Sequence, residues 1–75
     1  MTPESVVARA FNKEAAEIND ATSPDSLTEW DSLGHFTLLI ELEASYGVSF
    51  SPEEALSMTS VDRIKAVLAG HDVRW

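Results

Sequence analysis

The chain has 75 residues, no cysteine, a hydrophobic share of 44% and a net charge of −8 from thirteen acids against five bases. That length holds one small core and no second domain, so residues 1–75 read as a single unit stabilised without disulfides by closely packed regular elements. The charge repels nucleic-acid phosphates and anionic lipid surfaces and favours a positively charged partner. No apolar run exceeds four residues, as in Ala66-Val67-Leu68-Ala69. Nor does a basic segment followed by a hydrophobic one open the chain, so neither a membrane span nor a signal peptide is expected and the expected location is the cytoplasm.

Thr2-Pro3-Glu4 has the chemistry of a helix start: a hydroxyl cap, proline at the first helical position and a carboxylate near the positive end of the dipole. Val7, Phe11, Ala15 and Ile18 then recur at steps of four, four and three, which predicts one helix ending near Ile18 to Asp20 with these residues on its core face. From Asn19 to Asp31 the period is lost among Asn, Asp, Thr, Ser and Pro, a long loop in which Ser23-Pro24-Asp25 can start a single turn. Helix two is expected over roughly 32–46, ending before Gly47. Leu38, Leu39, Leu42 and Tyr46 cluster on one side of it, Leu33 and Ile40 point away, and Phe36, Leu39 and Tyr46 are expected in the core.

Ser51-Pro52-Glu53-Glu54 has capping-box spacing, but its apolar residues run out at Met58, so helix three is short. Thr59 and Asp62 open a last helix whose Val61, Ile64, Val67 and Leu68 form a stripe before Gly70 closes it, leaving 71–75 as a tail. The fold expected is all-α: a small four-helix bundle of three longer helices and one short one, with a long loop between the first two.

Metal and nucleotide motifs are missing: the chain has no His-Glu-x-x-His, no acidic calcium loop and no glycine-rich phosphate cradle. Asp31, Ser32 and His35 lie within one helical turn and imitate a catalytic triad, yet three groups in one turn cannot surround a substrate and supply an oxyanion site as well. Ser32 opens helix two directly after the long loop, beside unpaired N–H groups and the positive end of the dipole, where an anion such as a phosphodiester is stabilised. On the residues alone, the favoured reading is that Asp31 or Ser32 only caps the helix. His35 reads either as a cation beside such an anion or as a partly buried histidine, and Trp30 either as a shield over it or as an aromatic packing on the bundle.

Trp30-Asp31-Ser32-Leu33-Gly34-His35-Phe36, followed by Leu38-Leu39-Ile40-Glu41-Leu42-Glu43 and Tyr46-Gly47-Val48, resembles the signature of the acyl carrier proteins, Asp-Ser-Leu and then an apolar helix ending in an aromatic. The likeness extends over most of the chain, through Phe50-Ser51-Pro52-Glu53-Glu54 and Met58-Thr59-Ser60-Val61. It implies that Ser32 is the residue to which a phosphopantetheinyl transferase attaches 4'-phosphopantetheine from coenzyme A, and that acyl cargo is held as a thioester on that arm. It further implies a monomeric, non-enzymatic carrier that meets acyl-loading and acyl-processing enzymes through basic docking patches. Asp31, Leu33, Ile40, Glu41 and Glu43 are the candidate contact residues, and neither nucleic acid nor membrane is expected as a partner. Gly34, Thr37 and Ala44 stand where fatty-acid carriers often place acids, and the Trp-Asp-Ser-Leu-Gly-His form resembles stand-alone carriers of specialised pathways. An aminoacyl carrier of the D-alanine type has a similar signature, and an unmodified acidic helical adaptor binding through helix two is the reading from another class.

Overall fold

Every α-helix of this protein begins on a side chain that accepts a hydrogen bond from the first turn. The structure is a computed structural model describing residues 1–75, with α1 (Pro3–Ala10), α2 (Ser32–Tyr46), α3 (Pro52–Ser57), α4 (Val61–Gly70) and one turn of 3-10 helix at Ala15–Glu17. Thr2 accepts from the Ser5 amide, Asp31 from Gly34, Ser51 from Glu54 and Ser60 from Arg63. Each bond satisfies one of the donors that a helix start leaves orphaned. The cap of α4 is thus Ser60, one residue beyond the expected Thr59. The all-α bundle of three longer helices and one short one is as the periodicity predicts.

The ends of α1, α2 and α4 share one device. At Asn12, Gly47 and Asp72 the backbone turns left-handed, with φ of 56°, 65° and 61°. In each case the following amide reaches back five residues, Lys13 to Ala8, Val48 to Glu43 and Val73 to Leu68, which takes up an orphan carbonyl. Asn and Asp are the side-chain-bearing residues that tolerate this conformation best. One expectation is corrected as a result. The first helix stops at Ala10 instead of continuing to Ile18–Asp20, leaving Ala15 exposed while Ile18 returns to the core from beyond the 3-10 turn. Gly70 is the last residue of α4, as expected, and the left-handed turn follows two residues later at Asp72.

Val6, Val7 and Phe11 from the first helix region, Leu38 and Leu42 from α2, and Val61, Ile64 and Leu68 from α4 form the core together with Ile18, Trp30 and Met58. The short α3 buries no residue of its own. Two side chains from elsewhere hold it, His35 Nε2 donating to the Ala55 carbonyl at 2.8 Å and His71 Nε2 meeting Glu54 Oε2 at 2.9 Å. Residues 71–73 are therefore fastened, with Val73 packed against the core, whereas Trp75 is half exposed. The Ser51 amide, aided by His71, holds the Glu54 carboxyl below its ordinary value. A carboxyl lowered on folding stabilises the fold above its unfolded pKa, and that contribution disappears as the pH falls through the lowered one. Glu54→Gln should accordingly flatten the acid limb of a stability-against-pH curve followed by circular dichroism.

The loop from 19 to 31 docks on α4. The Val61 amide donates to the Thr22 carbonyl and the Asp62 amide to the Asp20 carbonyl, both at 3.0 Å, so loop carbonyls take the donors that Ser60 leaves. Lys65 on α4 lies 2.6 Å from both Glu4 of α1 and Asp20 of the loop, and these two carboxylates push its ammonium above the usual range. One polar atom in the interior is unmatched: the Tyr46 hydroxyl is buried without a partner, and burial, reinforced by Glu4, pushes the phenol up. An unpaired buried hydroxyl costs free energy that an apolar edge does not. Tyr46→Phe should leave stability equal or raise it by up to about 1 kcal/mol in urea unfolding; a loss of that size would show a partner for the hydroxyl.

Candidate functional site

The loop meets α2 at a junction built on close approach. A Cβ on Gly34 would collide with the Glu29 carbonyl and stand 3.0 Å from the Phe11 ring, so only glycine lets the first turn of α2 sit this near the loop backbone. Glu29 is in turn fixed by Lys13 at 2.9 Å. The hydrogen bond between them holds the Lys13 ammonium above, and the Glu29 carboxyl below, their ordinary values. Trp30 follows, buried to 2% exposure, its ring 5.7 Å from that of Phe11 and 6.2 Å from that of His35, the latter pair stacked.

Asp31 has an extended backbone, and its Oδ1 accepts from the Gly34 amide at 2.8 Å. Its carbonyl takes the first helical bond, from His35 N–H at 2.8 Å. Of the two residues able to cap α2, the carboxylate therefore does so. Ser32 next to it is exposed at the first helical position, and its hydroxyl takes no part in the hydrogen bonds of the protein. The Ser32 and Leu33 amides precede the first intrahelical bond, at the positive end of a 15-residue helix.

His35, one turn on, does not serve as a base for that hydroxyl. Trp30 Nε1 donates to its Nδ1 at 2.9 Å, and its Nε2 lies 2.8 Å from the Ala55 carbonyl. An indole N–H only donates and a carbonyl only accepts, so the proton resides on Nε2 and both ring nitrogens are occupied. The triad look-alike thus has no free base. Beside Ser32 opens a groove of about 400 Å³, lined by Trp30, Asp31, Ser32 and His35 from the junction of loop and α2, by Leu56, Met58 and Thr59 from α3 and the segment after it, and by Pro24. No three or more metal-ligating side chains gather here or elsewhere, and no helix is long and apolar enough to cross a membrane.

The other candidate residues separate into two sets. Leu33 and Ile40 lie on the outward face of α2, 73% and 50% exposed, as expected. Phe36, expected in the core, joins them at 61%. On the helical wheel it lies beyond Ile40, 60° from Leu33 and about 40° from Ile40 by the 100° step, and the apolar residues are spread so widely around α2 that the pattern does not single out one face. The acids are already engaged. Glu41 pairs with Arg9 at 3.3 Å, and Glu43 Oε2 accepts from the Phe50 amide at 2.8 Å, tying the end of α2 to the segment before α3. Asp31, as cap, is likewise structural. Leu56 on α3, 80% exposed, is an apolar surface residue at the groove that the sequence reading did not single out. The chain matches no family model and no curated protein.

Proposed function

We propose that the chain is a carrier domain on which a phosphopantetheinyl transferase places 4'-phosphopantetheine at Ser32, and which delivers acyl intermediates to partner enzymes of a specialised biosynthetic pathway in the cytoplasm. The observation that carries this reading is the division of roles at the start of α2: Asp31 caps the helix, so the Ser32 hydroxyl is exposed and unbonded. The residues fit such a group, since a phosphodiester on that oxygen meets the amide end of α2 and the groove beside it has room for an attached chain. In forming the bond, Ser32 Oγ would attack the phosphorus of coenzyme A that bears the pantetheine, releasing the nucleotide portion while the hydroxyl proton passes to a base of the transferase. Once bound, the arm supplies a terminal thiol that carries cargo as a thioester.

This chain's own residues would display and steer. Leu33, Phe36 and Ile40 offer partners an apolar stripe beside Ser32, and the acidic excess attracts basic entrances from a distance. Such contacts suit brief encounters, as a substrate handed to successive enzymes requires. Incubation with coenzyme A and a broad-specificity transferase should add the mass of one phosphopantetheinyl group, read by intact-mass spectrometry. Ser32→Ala should abolish the gain while shifting stability by no more than about 0.5 kcal/mol, because the hydroxyl is bonded to nothing. An unchanged mass with several transferases overturns the reading and favours the unmodified adaptor.

A further inference from the structure

We infer that the interior of this bundle is shut to cargo, and that the group carried at Ser32 is a short acyl or aminoacyl group lying in the open groove and not an alkyl chain threaded between the helices. This rests on the carrier reading and adds to it a class of substrate. Trp30, the largest side chain of the core, lines the groove beside Ser32 and is 2% exposed; Met58, also at the groove, and Leu38 are fully buried. The indole is bonded as well as packed. Trp30 Nε1 donates to His35 Nδ1, and His35 Nε2 donates to the Ala55 carbonyl, so one imidazole joins the loop, α2 and α3.

A chain of methylenes entering between α2 and α3 would have to displace that imidazole. Both hydrogen bonds would then break with no replacement, because a hydrocarbon offers neither donor nor acceptor. The groove outside this barrier, about 400 Å³, is near the lower end of the usual range for ligand sites, and its lining is mostly apolar, with Asp31, Ser32 and Thr59 as polar members. A short acyl or aminoacyl group is accommodated there, whereas the far end of a long alkyl chain would extend past the groove into water.

The test compares two forms of the protein, loaded by a transferase from acetyl-coenzyme A and from octanoyl-coenzyme A and verified by mass. The expected result is the same melting temperature for both, the same cleavage rate of the two thioesters by hydroxylamine, and an unmoved Trp30 indole N–H resonance. A higher melting temperature and slower cleavage for the octanoyl form, with a shifted indole resonance, would overturn the inference. In His35→Ala, with folding checked by circular dichroism, the octanoyl form should become the more stable and the more protected. Equal behaviour of the two forms in that folded variant overturns the assignment of the closure to this bonded pair. Failure of either donor to add mass at Ser32 would instead sink the carrier reading, so the two failures are distinguishable.

Discussion

Trp30→Ala should lower the stability of this protein by about 3–5 kcal/mol, the range for removing a buried tryptophan. A 75-residue domain holds roughly 4–11 kcal/mol in all at the usual 0.05–0.15 kcal/mol per residue, so the variant should sit near its unfolding threshold. Three losses combine. The indole is 2% exposed in the core, it packs on Phe11 and stacks on His35, and its N–H satisfies His35 Nδ1. Trp75→Ala is the internal control, since the second tryptophan is 48% exposed and its removal should change stability by no more than about 0.5 kcal/mol. Urea unfolding followed by far-ultraviolet circular dichroism measures both; equal, small effects would show that the loop does not deliver Trp30 to the core.

Gly34→Ala and Gly70→Ala should have opposite signs. In a helix interior alanine is favoured over glycine by about 1 kcal/mol, and Gly70, the last residue of α4, has nothing within 4 Å of an added Cβ, so Gly70→Ala should stabilise by a part of that amount. At Gly34 the same methyl would strike the Glu29 carbonyl and press on Phe11. Backbone yields less readily than the end of a side chain, and overpacking of this kind costs typically about 1–3 kcal/mol, which outweighs the propensity gain. Gly34→Ala should therefore lower the melting temperature where Gly70→Ala raises it. Because relief at Gly34 requires residue 29 to move, it should also disturb the adjacent indole resonance of Trp30. A stabilised Gly34→Ala would mean that the loop does not approach α2 as described.

The parts of this fold that could be read from the sequence are those whose signals are local. The start of α2 follows from Asp31 and its end from Gly47, each acting within its own turn. The end of the first helix was hidden because the Val7–Phe11–Ile18 period continues through a break: Asn12 turns the chain left-handed, and a 3-10 turn restores Ile18 to the same core. An Asn in that place was a usable sign, weaker than glycine. Phe36 was misplaced because its environment depends on which side of α2, whose apolar residues are widely spread, receives α1, a tertiary choice. The position of Ser32 at a helix start was legible, whereas its freedom from the cap depended on which of two adjacent side chains took the Gly34 amide. The engagement of His35 was beyond reach, since Ala55 lies twenty positions away and enters only through its carbonyl.

The carbonyls of Asp20 and Thr22, which receive the first amides of α4, give this helix an origin shared with a segment forty residues earlier. Protection of Val61 and Asp62 against deuterium exchange therefore belongs to the loop's stability as much as to the helix's. When residues 19–22 lift away, these two amides open while the rungs behind them stay closed, so the rate at which the loop breathes is written at the beginning of the last helix.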